Sequence, residues 1–205
     1  GPDKPRFPDV TESQAPALRS LEMATNALWS DVNGDGWLDL LITTEWGPIR
    51  VFLNREGHLE EATAEAGLAE YRGWWNGIAG RDFDNDGDLA YVATNYGHNT
   101  KYHPNAERPN RIYYGAFGDD QRPQIIEAKV VGGEILPLRG KSCSQNAMPF
   151  LKQKFPTYHD FASATLTEIY TDTALQRAQV FEANTLSSCI LLNDGAGHFQ
   201  VQPLP

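Results

Sequence analysis

Basic residues are scarce in the first half of this chain. Residues 1–100 hold 17 acids against 7 bases, residues 101–205 hold 10 of each, and the formal net charge is −10. A polyanion would be repelled by the first half, which argues against nucleic acid as a partner. Long apolar runs are missing as well: no stretch of about 18 apolar residues exists, so no transmembrane helix is expected. The chain opens with Gly1-Pro2 rather than a basic-apolar leader, and that pair resembles what a protease cut leaves behind, which is compatible with a signal segment removed upstream. Several enzyme signatures are also absent, namely His-Glu-x-x-His, Gly-x-Ser-x-Gly, a phosphate-cradling loop and the dinucleotide fingerprint.

What is present suffices for a real core. The hydrophobic fraction is 40%, with 9 Phe, 8 Tyr and 5 Trp, which excludes a disordered tail. The 205 residues make one ordinary domain or at most two small ones. Eighteen Gly and 13 Pro favour a turn-rich β protein over a helix bundle.

Seven of the first-half acids fall in two short clusters. One runs Asp31-Val-Asn33-Gly-Asp35-Gly36-Trp37-Leu38-Asp39, the other Asp82-Phe-Asp84-Asn-Asp86-Gly87-Asp88-Leu89-Ala90. Carboxylates packed this closely repel one another unless a cation neutralises them. Oxygen side chains at positions 1, 3 and 5, with Gly at 6, let a short loop wrap a hard cation, and the oxygen-only set suits calcium rather than zinc. Position 7 offers a backbone carbonyl (Trp37, Asp88), and a carboxylate at position 9 closes the cage. That position is Asp39 in the first loop and Ala90 in the second, so one good calcium site and one weaker site are expected.

Helical versions of this loop need an acid at position 12, which here is Ile42 or Ala93. The residues that follow, Leu38–Thr44 and Leu89–Thr94, are rich in β-branched and aromatic types and lack a helical period, so each loop joins two strands. Four short strands surround the first loop: Leu28–Ser30, Leu38–Thr44, Ile49–Asn54 and Leu59–Thr63. The pattern restarts 51 residues on with Trp75–Arg81 and Leu89–Asn95, and Arg111–Tyr114 is expected to continue it. Residues Gly115–Ile126 read as a third, decayed copy, and Ile190–Phe199 parallels Val51–Leu59 as an outer hairpin. Four strands per unit with Gly and Asn turns is the arithmetic of β-propeller blades.

On the segments Phe7–Thr11, Asp31–Asp39, Leu59–Leu68, Asp82–Leu89 and Leu191–Phe199, the chain resembles the FG-GAP/VCBS repeat family, whose propellers are similar to that of integrin α-subunits. Within that family it looks most like bacterial secreted proteins of the ASPIC/UnbV-associated kind. The resemblance implies calcium held by Asp31, Asn33, Asp35, Asp39 and the Trp37 carbonyl. In the second loop it implies Asp82, Asp84 and Asp86 with the Asp88 carbonyl, while Ala90 departs from the family's Asp. It also implies an extracellular or periplasmic location.

The expectation is therefore an all-β protein of propeller-type four-stranded blades with an inserted helical segment. The strands supply about three to four blades, fewer than a closed ring, so a longer parent chain or a homo-oligomer is expected, with Phe7–Thr11 and Phe199–Leu204 at exposed ends. The divisions are 1–131 for blades, 132–186 for the helical insertion and 187–205 for a closing hairpin. In the insertion, Ala162, Leu166, Ile169 and Tyr170 share a helical face opened by Thr157–Asp160, and Ala174, Ala178 and Phe181 mark a second short helix. His58 and His198 read as surface turn residues, and Trp74-Trp75 as core packing rather than a sugar platform. Cys143 and Cys189 are either a disulfide or two free thiols. No catalytic residue is assigned. The favoured function is a calcium-stabilised binding or scaffold module for a protein or glycan, against a glycan-active enzyme built on propeller-face loops.

Overall fold

A computed structural model describes residues 8–83, 87–118 and 121–205. The first described elements are a helical turn α1 (Thr11–Gln14) and a 3-10 turn over Pro16–Ser20. Next come β1 (Met23–Ser30), β2 (Asp39–Gly47), β3 (Arg50–Arg55) and β4 (His58–Glu61), an antiparallel sheet in the order β1-β2-β3-β4. A short strand, β5 (Gly73–Trp74), also pairs with β2. The following hairpin is β6 (Gly77–Arg81) and β7 (Ala90–Thr94).

After β7 the chain leaves this sheet. It builds β8 (Asn110–Ala116), β9 (Pro123–Val131) and β10 (Glu134–Pro137), then helices α2 (Lys141–Ala147), α3 (Leu151–Lys154), α4 (Tyr158–Ser163), α5 (Leu166–Tyr170) and α6 (Asp172–Arg177), and finally β11 (Gln179–Ala183). It returns as β12 (Cys189–Asn193) and β13 (Phe199–Pro203), giving a sheet in the order β13-β12-β7-β6. The all-β, four-stranded architecture expected from the sequence is present, and Ile190–Phe199 forms an outer hairpin matching β3–β4.

Two compact units result: residues 1–96 with 187–205, and residues 97–186. Their boundaries differ from the 131/132 division read from the sequence, because β8, β9 and β10 pack with the helices. Arg111–Tyr114 is not the third strand of the second blade. It belongs to β8, which sits between β9 and β11 in a separate sheet of order β10-β9-β8-β11. Its place in the blade is taken by β12, where Leu191 lies opposite Tyr91 and Cys189 opposite Ala93.

Alternation along β2 divides the first unit's core. Leu40 and Ile42 point with Phe52 toward the 3-10 turn, where Ala17, Leu18 and Leu21 cover them. Leu41 points the other way, into a cluster with Val51, Leu68, Trp75, Tyr91, Leu191 and Phe199 that joins both sheets. Trp75 is fully buried there, as the core reading required, while Trp74 stacks edge-on between Trp46 and Tyr96. The second unit has its own core, in which Ile126 and Ala128 of β9 meet Leu151, Phe161, Leu166 and Ile169.

The helical face from Ala162 to Tyr170 is interrupted. Thr157 does cap α4, its Oγ1 accepting the Asp160 N–H at 3.1 Å. Among the described residues a full capping box forms only at Thr165, whose hydroxyl accepts the Glu168 N–H while Glu168 accepts the Thr165 N–H at 2.7 Å. That local pairing competes with continuation of α4 and starts a new helix, so Ala162 is exposed rather than core. Similarly α6 stops at Arg177, and Phe181 lies in β11. The thiols of Cys143 and Cys189 are free, the first exposed and the second buried.

Candidate metal centre

The first loop joins β1 to β2, with Ser30 paired to Asp39 at its neck. Every acidic or amide side chain in it is oriented by backbone N–H groups. Asp31 accepts from Gly34 at 2.8 Å and from Gly36 at 2.9 Å. Asn33 accepts from Asp35 at 3.1 Å, and Asp35 accepts from Trp37 at 2.9 Å. Gly36 holds φ +87°, a left-handed conformation that favours glycine and turns the chain back toward β2. The Trp37 indole is exposed.

Asp39 differs from the other three because it is buried. Its Oδ2 accepts the Val32 N–H at 2.9 Å and its Oδ1 accepts the Asn54 N–H at 2.8 Å. One carboxylate thus ties the start of the loop to β3. Burial pushes the Asp39 carboxyl above its ordinary value; the two N–H bonds oppose that shift, and the Asp35 and Asp31 charges add to it.

Sequence reasoning missed three groups around this loop. Asn54 Nδ2 donates to the Leu38 carbonyl at 2.9 Å, Arg55 stands 3.5 Å from Asp35, and Asn193 Nδ2 donates to the Val32 carbonyl at 2.8 Å. The signal available was the Asn that opens each outer hairpin turn, Asn54 and Asn193, at equivalent points of the parallel segments.

The second loop joins β6 to β7 with the same register, Arg81 opposite Ala90. Asp82 Oδ2 accepts the Gly87 N–H at 3.3 Å, the counterpart of the Asp31–Gly36 bond five residues on. Asp84 and Asp86 lie outside the described residues, as do Asp119 and Asp120 of the expected third copy. Asp88 packs against the β12–β13 turn, where a Cβ on Gly195 would stand 2.7 Å from Asp88 Oδ2. Ala90 is buried and supplies no carboxylate at the position of Asp39.

The donor set of the first loop fits a hard cation. Each carboxylate oxygen that accepts one N–H keeps a further lone pair, and all the side-chain ligand atoms would be oxygen. Among the described residues, no three His, Cys, Asp or Glu side chains converge as a metal cage. Nor is any helix among them long and apolar enough to cross a membrane.

A family model described as FG-GAP-like repeat matches residues 31–93, from the first residue of the first loop to the penultimate residue of β7. No curated protein and no solved structure matches the chain.

Proposed function

We propose that this chain is a calcium-stabilised binding module of FG-GAP/VCBS type, acting in an extracellular or periplasmic setting on a protein or glycan partner. The observation that carries the reading is the first loop. Four oxygen-bearing side chains at positions 1, 3, 5 and 9 are fixed by backbone N–H groups, and the last of them is a buried carboxylate beside two like charges. The repeat match over residues 31–93 supports the same reading. Asp31, Asn33, Asp35 and Asp39, with the Trp37 carbonyl, would hold the ion. When bound, calcium supplies a doubly charged counter-ion to carboxylates that otherwise repel. The chain's own groups keep the loop shaped for it, since Asp39 pins the loop to β3. Asp82, Asp84, Asp86 and the Asp88 carbonyl would supply the weaker second set, which has no carboxylate at Ala90.

Calcium that binds only the folded chain adds RT ln(1 + [L]/Kd), about 2.7 kcal/mol at a hundredfold excess over Kd. Melting should therefore move upward with calcium and fall with chelator, and magnesium should restore little because it prefers a rigid six-coordinate shell. Calorimetry should show a binding event lost in Asp35→Ala. Equal melting with calcium and with chelator would remove the metal from the proposal.

A further inference from the structure

Charge is divided unevenly between the two compact units. Residues 1–96 with 187–205 carry 18 acids and 7 bases, whereas residues 97–186 carry 9 acids and 10 bases. Within the second unit, a cleft of about 330 Å³ runs from the β9–β10 hairpin to α2 and α4. Lys129, Arg139 and Lys141 line it, and the described lining contains no carboxylate.

Lys141 is the unusual member. It is only 7% exposed, yet it forms no ion pair among the described residues. Its Nζ donates to the neutral Gln145 Oε1 at 2.9 Å and stands 5.1 Å from the Tyr158 ring centroid. A lysine covered this fully is ordinarily matched by a carboxylate, because an amide and an aromatic face replace little of an ammonium's hydration. The charge on Arg139 is already met by Glu127, which also accepts the Tyr102 hydroxyl at 2.9 Å. Lys129 and Lys141 therefore leave a net positive cleft. Beside them Tyr158 is 63% exposed, with Pro137 and Ala162 on the same wall.

We propose that this cleft binds an acidic saccharide, a pyranose bearing a carboxylate or sulfate. The anion meets Lys129 and Lys141, and the ring C–H face lies against Tyr158. An inorganic anion would satisfy the cations and leave the aromatic and apolar wall unused. A sugar acid uses both. The choice of a saccharide deepens the binding-module reading above and rests on it, while the anion site stands on the cleft itself.

The test uses the full chain with methyl β-glucuronide, glucose 6-sulfate, methyl β-glucoside and sodium sulfate, followed by calorimetry and saturation-transfer NMR. Both acidic sugars should bind about tenfold more tightly than the glucoside, the effect of one charge-assisted hydrogen bond. Lys129→Ala should cut that preference about threefold, since Lys141 remains, and Tyr158→Ala should weaken the acidic sugars about fivefold while leaving sodium sulfate unchanged. Both residues are exposed, so neither change should unfold the unit. Equal binding of the glucoside, binding of sulfate without the sugars, or no effect of either substitution would overturn the proposal. Calcium titrations of the same samples report separately on the loops, so loss of one reading leaves the other legible.

Discussion

Removing the Asp39 carboxylate should destabilise the first unit even when no calcium is present. Two backbone N–H groups, on Val32 and Asn54, would lose a buried charged acceptor. Hydrogen bonds to a charged partner contribute about 1.5–3 kcal/mol each, so the gross loss is about 3–6 kcal/mol. Part of this is recovered because the alanine no longer holds a charge away from water, the same desolvation that pushes the Asp39 carboxyl upward. A net loss of about 2–4 kcal/mol remains, in the upper range for a single substitution. With a urea dependence of about 2 kcal/mol/M, the unfolding midpoint should fall by about 1–2 M. The assay can be confined to the right unit, because Trp29, Trp37, Trp46, Trp74 and Trp75 all lie in residues 1–96. Tryptophan fluorescence in chelator therefore reads this unit without the other. Asp39→Asn, which keeps an acceptor and drops the charge, should fall between. A midpoint for Asp39→Ala within about 0.2 M of the parent would show that this carboxylate does not pin the loop.

Other measurements address separate features. Ala90→Asp should strengthen or create a second calcorimetrically resolved calcium event, since its backbone holds the register of Asp39; an unchanged titration counts against the loop equivalence. Gly195→Ala should lower stability by about 1 kcal/mol, because φ is +75°, a left-handed conformation that favours glycine, while the exposed Asp88 side chain facing the new methyl can shift; a neutral result would contradict the strained backbone. Burial pushes the Glu127 carboxyl up, but hydrogen bonds from Arg139 and Tyr102 and the Arg139 charge outweigh it and hold it below the ordinary range. Its contribution should thus be full at neutral pH and fade as pH falls below about 4.5, and Glu127→Gln should flatten that acid limb in tyrosine-detected unfolding. Native alkylation should add one label, at exposed Cys143, while Cys189, whose thiol burial pushes up to about 12, should react only after denaturation; two native labels would contradict the buried assignment.

The parts of this fold that could be read from sequence were those with local determinants. The spacing of Asp31, Asn33, Asp35 and Gly36, followed by β-branched residues, placed β1 and β2 without long-range information. The Asn54 and Asn193 turns likewise marked both outer hairpins. The pairing of β12 with β7 was not legible, because its partners lie on either side of a 90-residue segment and Arg111–Tyr114 has the same apolar alternation at a nearer distance. The split between α4 and α5 was hidden for the opposite reason. The 3.6-residue period runs through it unbroken, and only the reciprocal bonds of Thr165 and Glu168 end one helix and begin the next. At the candidate site the spacing of the oxygen-bearing side chains was visible, but the burial of Asp39 was not, since it follows from Asn54 arriving on β3.

Residues 97–186 depart from the second blade and rejoin it at nearly one point. Gly97 donates its N–H to the Leu186 carbonyl at 2.9 Å, and just beyond, Asn95 donates to Ser188 Oγ at 3.1 Å. The consequence is an order of events on the ribosome. β6 and β7 emerge about 90 residues before β12, and closing so long an unstructured loop costs about (3/2)RT ln n, roughly 4 kcal/mol plus a constant. A segment that folds on its own as it emerges brings its two ends together and lifts most of that penalty before β12 appears. The inserted unit would then present β12 to β7 as soon as that strand is synthesised, and the blade that hosts it would close last.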